Sequence, residues 1–313
     1  MILGCVLKPS LRLDPLVGDP SISQSSSILC KRVITSGSIR VTPFTWGIFS
    51  NGQFGDPVAG NPEPHPDVMM IWDMVYHQIS SMDFTGRIIM PEFLYETHAH
   101  TQEASKCSSI SARELVGFYR DRGVKGICIT DHFFNGNSAV PTNLSWAQRV
   151  DWLCMGYEHA AEEGARIGVD VFFGWEYSLF GTDFLTYGLD KAWLLRHPEV
   201  MELSVNDYCA LVRSEGGFII HAHPYREAWY IDMIRLLPRS VDGVEVVNAS
   251  RTDFENARAE EYAANYGLLR IGGSDNHIGA QPHLAGIGLD RPLADIQDMI
   301  AAIRSGEAKV ISL

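Results

Sequence analysis

The stretch Tyr95-Glu96-Thr97-His98-Ala99-His100-Thr101 follows a short apolar run, Phe93-Leu94-Tyr95, and reads as the end of a β-strand. Side chains at i and i+2 of a strand point to the same side, so His98 and His100 project together into one space. Neutral imidazole is the commonest protein ligand for zinc and similar metals. A single His-x-His arises easily by chance on an exposed strand, but here the arrangement recurs. His221-Ala222-His223 and Asp275-Asn276-His277 also end apolar runs, and Asp131-His132 closes another. These four short motifs hold six of the chain's eleven histidines, which a solvated surface would not produce.

Outward from that strand the pattern is regular. Further apolar runs stand at 126–130, 169–175, 184–187, 217–220, 243–247, 268–271 and 309–312. Helical stretches separate them: one capped near Ser111 and ended by Gly123, then 145–167, 204–215, 228–237, 253–266 and 293–304. Strands alternating with helices at this spacing predict parallel β/α units, and continuous apolar strands predict a sheet covered by helices. Seven or so units in residues 90–313 suit a distorted (β/α)7 TIM-like barrel better than an open doubly wound sheet. The Gly-rich phosphate loop of a dinucleotide fold is missing after the first strand. Every polar motif sits at a strand end, the face on which β/α barrels build active sites.

Residues 1–89 read differently. Asp19 to Ser27 is Ser-rich, Asn51 to Pro66 is crowded with Gly and Pro, and no period persists. The expectation is an irregular or disordered N-terminal extension, 1–89, before a barrel domain, 90–313, with Met90 as the candidate true start. The alternative is a partner-binding arm. Expression of 90–313 alone separates the two, because loss of folding or activity would rule out the start-site reading.

The 313 residues are 46% apolar, with ample core material, and no run of eighteen apolar residues exists. Lys8 follows the short apolar start rather than preceding it, so no signal peptide is read. Cysteines at 5, 30, 107, 128, 154 and 209 show no framework spacing, which predicts the cytoplasm and no disulfides. The net charge of −13 argues against extended nucleic-acid or anionic-membrane surfaces. A small anionic substrate stays open, because divalent metals reverse the local field.

In order, the strand ends supply His98 and His100, Asp131 and His132, Glu176, Asp183, His221 and His223, Glu245 and Asn248, and Asp275 and His277. Converging on one mouth, these are too many ligands for one ion. Two or three divalent ions, Zn, Mn or Fe, held by a bridging carboxylate would use them. Such a cluster lowers the pKa of a bound water to about 7 and clamps phosphate oxygens, which favours phosphoester hydrolysis. Each residue has a plainer alternative. Asp131 and His132 are adjacent and point to opposite sides, so His132 is the expected ligand and Asp131 a supporting group. Glu176 is well placed as the bridge, whereas Asp183 is as easily a loop residue. His223, before Pro224, is the safer ligand of its pair, and His221 packs or hydrogen-bonds. Glu245 is read as a structural carboxylate under the basin. Arg226 suits a phosphate clamp because its planar fork binds two oxygens, with a salt bridge as the competing use. His65, His77, His159, His197 and His283 carry no chemical reading.

Five motifs in order now resemble a known family, the PHP (polymerase and histidinol phosphatase) domains. They are Glu96-Thr97-His98-Ala99-His100-Thr101, Ile129-Thr130-Asp131-His132, Gly174-Trp175-Glu176, His221-Ala222-His223-Pro224 and Gly273-Ser274-Asp275-Asn276-His277. The resemblance covers roughly 92–313 and implies a distorted seven-stranded barrel with a trinuclear centre that hydrolyses phosphoesters. It implies that His98, His100, Glu176 and Asp275 hold one metal and that Glu176 bridges to a second held by His223. His132 and His277 would hold the third. Two positions depart from the pattern: Asp183 stands where a ligand histidine is usual, and Cys107 where an Asp or His is usual. Both side chains can bind zinc. The expected activity is therefore a metal-dependent phosphoesterase acting on a small phosphorylated substrate, histidinol-phosphate- or nucleotide-like, through a metal-held hydroxide, with Glu176, Asp275 and Arg226 as the catalytic set. The alternatives are a metal-dependent C–N hydrolase, or a non-catalytic metal-stabilised module that serves a partner.

Overall fold

In the computed structural model of the chain, residues 91–312 are described. The reading of 1–89 as an extension and of Met90 as a start lies outside them. The strand that carries the first motif, β1 (Phe93–Ala99), lies parallel to β2 (Gly126–Ile129), which lies parallel to β3 (Asp170–Leu179). The chain then turns back on itself through Phe180 and Gly181, both at positive φ, as a two-residue hairpin requires. The returning strand β4 (Thr182–Tyr187) is antiparallel to β3 and to β5 (Phe218–Ala222). β6 (Gly243–Asn248) and β7 (Leu269–Gly273) extend the sheet in parallel.

The end of β7 returns to β1. Asp275 N–H donates to His98 O at 2.8 Å and His100 N–H to Asn276 O at 3.0 Å, which closes seven strands into a barrel at the rim where the motifs lie. At its other end β1 pairs instead with β8 (Ala285–Leu289), and β8 with β9 (Lys309–Ser312), both antiparallel.

Helices α1 (Ala112–Arg120), α2 (Trp146–Ile167), α3 (Lys191–Arg196), α4 (Val205–Ser214), α5 (Asp253–Tyr266) and α6 (Ile296–Ser305) connect the strands. Their limits follow local chemistry. Capping boxes at Ser111/Glu114, Ser145/Gln148 and Thr252/Glu255 start α1, α2 and α5. Left-handed Gly168, Gly267 and Gly306 end α2, α5 and α6. Tyr95, Cys128, Leu185, Ile220 and Ile271 form one apolar cluster with Met299 and Ile303 of α6, while Leu115 and Val116 of α1 pack on Ala99, Ile127 and Ile129.

Two expectations need correction. The strands are not all parallel, because β4, β8 and β9 run against their neighbours. The helix expected at 228–237 does not form, and Arg226–Pro238 is an irregular loop rich in exposed apolar side chains. Two elements have no counterpart in the sequence reading: α3, and β8, whose sequence Ala-Gly-Ile-Gly-Leu has few of the branched residues that announce a strand.

Candidate metal centre

Backbone irregularities at the rim aim the side chains. Tyr95 joins the cluster of Cys128 and Ile271, yet His98, three residues on, also faces the basin. The register of β1 against β2 slips between Glu96 and Ala99, and a bulge of this kind re-aims a side chain. Glu96 secures the slip by accepting from the backbone N–H groups of His98 and Ser274, each at 2.8 Å, and from Tyr119 O–H at 2.6 Å. A second slip lies between Glu245 and Val247 in β6, and it lets Asn248 Nδ2 donate to Glu245 Oε2 at 2.9 Å. His223 and Asp275 both sit at positive φ, 27° and 54°. Such backbone costs about 1–3 kcal/mol and concentrates at functional sites.

Four ligand residues then meet. His98 Nε2 lies 3.0 Å from His100 Nε2 and 3.5 Å from both Glu176 Oε1 and Asp275 Oδ1. His100 Nε2 lies 3.5 Å from Glu176 Oε2 and 3.3 Å from Asp275 Oδ1. Ligands bonded to one zinc at about 2.1 Å stand roughly 3.0–3.5 Å apart, so these spacings match the edges of a single coordination shell. Glu176 also reaches outward on both sides: Oε1 lies 3.2 Å from His223 Nε2, and Oε2 lies 2.7 Å from His132 Nδ1. Further groups of converging ligand atoms are His98–His223–Asp275, Glu176–Asp183–His223 and His100–His132–His277.

The donor set fits divalent cations by its own chemistry. His132 Nδ1 and Glu176 Oε2 are sealed from water, yet neither has an aligned hydrogen-bond partner. Buried polar atoms are almost always satisfied, and lone pairs turned toward cations in the neighbouring ligand groups account for these two. Charge points the same way. Burial alone would push His98 down, but Glu245, Asp275 and Glu176 outweigh it and hold its pKa well above the usual range. Burial would raise Glu176 and Asp275, but the surrounding imidazoles hold both well below the carboxylate range. His100 goes the other way, pushed well down by burial and by His277 and His132.

Supporting groups fix the ligands. Glu245 is fully buried; Oε1 takes the Nδ1 of His98 at 2.9 Å and Oε2 the backbone N–H of His223 at 3.0 Å. Asp131 belongs to no ligand group. It accepts from Thr101 N–H at 2.7 Å, Thr101 O–H at 2.6 Å and Ser105 O–H at 2.7 Å, and burial raises its pKa to about 6. His221 also stands apart from every group: it stacks on Phe184 at 5.2 Å, both ring nitrogens lack partners, and burial takes its pKa to about 3. It faces away from the basin with the regular parity of β5, whereas His223, just past the end of that strand and in left-handed backbone, is turned into it. Cys107 lies at the exposed rim with Sγ 3.1 Å from His132 Nε2. Burial is outweighed by His132 and His277, which lower its pKa to about 6. Asp183 comes from the N-terminal end of β4, which antiparallel pairing brings to the same rim. Arg226 Nη1 donates to Asp183 Oδ2 at 3.2 Å and Nη2 to Tyr230 O–H. Ser105, which contacts His100 Nδ1 at 3.2 Å, and Tyr230 were not foreseen, because loop residues carry no periodic signal.

Residues 253–308, which include Asp275 and His277, match the family model described as PHP-associated. No curated protein matches the chain. Among solved structures, it is similar to a two-domain protein from Bacteroides vulgatus containing a predicted PHP-like metal-dependent phosphoesterase. That match has 14% identity and a TM-score of 0.55 over 70% of this chain and 64% of the other, so the chain spans less than two thirds of that relative. PsfC from Pseudomonas syringae matches at 19% identity and a TM-score of 0.48 over 72% of this chain and 92% of its own. An amidohydrolase from Chromobacterium violaceum matches at 17% identity and a TM-score of 0.43, over 59% and 88%. The resemblance read from the five motifs is thus met by two further likenesses: residues 253–308 match the PHP-associated model, and the barrel that carries them is similar in fold to the Bacteroides vulgatus protein.

Proposed function

We propose that this chain is a metal-dependent phosphoesterase that hydrolyses a small phosphate monoester, histidinol-phosphate- or nucleotide-like, in the cytoplasm. The carrying observation is the set of 3.0–3.5 Å spacings among His98, His100, Glu176 and Asp275, with Glu176 extending to His223 on one side and His132 on the other. These residues would hold one ion. His223 with Asp183, and His132 with His277, would hold a second and a third, with zinc, manganese or iron all suited to the mixed donors. Divalent ions bound there would supply Lewis acidity, polarising phosphoryl oxygens and activating water for attack.

The remaining work falls to side chains. Glu245 keeps the His98 proton on Nδ1 and so presents Nε2 to the basin. Asp183 anchors Arg226, whose planar guanidinium can take two free oxygens of a phosphate and orient the ester. The acidic balance of the chain favours a small substrate over long nucleic acid. Turnover of p-nitrophenyl phosphate with added Mn²⁺ or Zn²⁺, beside a His98→Ala control, tests the assignment. Metal-dependent turnover lost in the variant is expected, and equal rates from both proteins would remove it.

A further inference from the structure

The loop that replaces the expected helix at 228–237 leaves large apolar side chains in solvent beside the metal centre. Trp229 is 96% exposed, Met233 56% and Tyr230 51%, with Ile234 and Leu236 also open. Across from them Phe180 is exposed at the tip of the β3–β4 hairpin. Contiguous exposed apolar surface is uncommon on a folded protein and marks a binding site.

The loop is pinned in place rather than loose. Arg226, at its start, donates to Asp183 of the centre and to Tyr230, and its guanidinium lies 5.6 Å from the Tyr230 ring centroid. Arg235, near its end, donates to Phe180 O at 2.9 Å. Ile231 packs so closely on Gly181 that a Cβ there would collide with it. Between loop and barrel runs a narrow groove open to solvent, with Asp183, His223 and Arg226 on one side and Ile231, Met233 and Ile234 on the other.

We infer that this loop receives the leaving group of the ester, and that the leaving group is a large apolar, aromatic moiety. The inference rests on the phosphoesterase reading. In this placement the free oxygens of the phosphate face the ions and Arg226, and the ester oxygen points out of the basin toward the loop. The group it carries would then lie over the groove, against Met233 and Ile234. On the same loop Trp229 and Tyr230, edge to face at 5.6 Å and 86°, offer aromatic surface of the kind that binds rings.

The test uses the full chain loaded with Mn²⁺ and two inert probes, 1-naphthylphosphonate and methylphosphonate, titrated by calorimetry. The naphthyl probe is expected to bind about 10- to 50-fold tighter, the ratio that burial of a ring-sized apolar surface corresponds to. In the double variant Trp229→Ala/Met233→Ala that ratio should fall toward one, with the loss on the naphthyl side. Both side chains are exposed, and an unchanged melting temperature shows that the variant is folded. A preference retained in the variant would overturn the assignment of the loop. Equal affinities in the unaltered protein would overturn the aromatic leaving group while its turnover of p-nitrophenyl phosphate still upheld the phosphoesterase reading. Absence of both binding and turnover would sink the two together. A variant that changed oligomeric state but kept the preference would make the patch a subunit contact and refute the inference.

Discussion

Glu245→Gln isolates the group beneath the metal centre without changing its shape. The carboxylate accepts on both oxygens: from His98 Nδ1 at 2.9 Å on one, and from His223 N–H at 3.0 Å and Asn248 Nδ2 at 2.9 Å on the other. An amide cannot do this in either orientation. If its oxygen serves His223 and Asn248, its NH₂ faces His98 Nδ1, which must then accept, and the ring proton moves to Nε2, the atom aimed at the ions. If its oxygen serves His98, the NH₂ faces two fixed donors in a site with no exposure to water. Loss of such an orienting partner typically weakens metal binding about 10- to 100-fold, or roughly 1.4–2.7 kcal/mol. Proton competition works the other way, since Glu245 also holds the His98 pKa up. That competition fades as pH rises through the raised His98 value, so the measurement is made as a pH series and the orienting loss is read at its alkaline end. Chelator-competition titration of zinc, with metal content by elemental analysis, reads the effect. Affinity within twofold of the unaltered protein, at full metal content, would refute the orienting role.

Gly273→Ala places a Cβ against Glu245 Oε1 and the Cβ of His98; we expect a loss of about 1–3 kcal/mol in urea unfolding together with reduced metal content. Asp131→Ala strands the buried donors of Thr101 and Ser105 and should cost about 2–4 kcal/mol by the same unfolding assay. Without metal, the raised pKa values of His98, His132, His223 and His277 favour the folded state below the ordinary histidine pKa, and that contribution disappears as pH rises through the folded values. Above about pH 7 the depressed His100 and His221 are neutral in both states and do not oppose this. Cys107, whose thiol pKa is lowered to about 6, works against this because it gains stability as pH rises toward the ordinary thiol value, so in a Cys107→Ser background the melting temperature of metal-free protein should fall between about pH 7 and 9. The rise produced by added Zn²⁺ should grow over the same interval, because fewer protons must be displaced from the ligands. Calorimetric scans showing the opposite trends would count against the placement of these imidazoles beside carboxylates.

How much was legible in the sequence depended on whether the signal was local. α5 was read to its last residue because Thr252 and Gly267 mark its ends chemically, whatever surrounds them. The histidine and carboxylate motifs were visible because each is a few residues long and ends an apolar run. Asn248 was visible as a strand-end residue, but not its grip on Glu245, since a slip in β6 register leaves no trace in composition. For the same reason nothing local tells that Tyr95 and His98, of opposite parity, share the barrel interior, which the bulge in β1 brings about. The segment 228–237 has the composition of a helix, but Pro224 and Pro238 bound it and Arg226 and Arg235 tie its ends to the barrel, so tertiary contacts overrode propensity.

The sequence by itself determined which donor types the chain commits to its strand ends and that those strands alternate with helices, because short-range periodicity and residue chemistry encode both. Only the tertiary structure decided that β4 runs backwards, which carries Asp183 to the rim. It also decided that His221 turns away while His223 turns in, and that Glu176 stands between two sets of imidazoles. Strand direction, register and left-handed backbone at His223 and Asp275 are set by which partners a strand finds across the barrel, and no local stretch of residues specifies that choice.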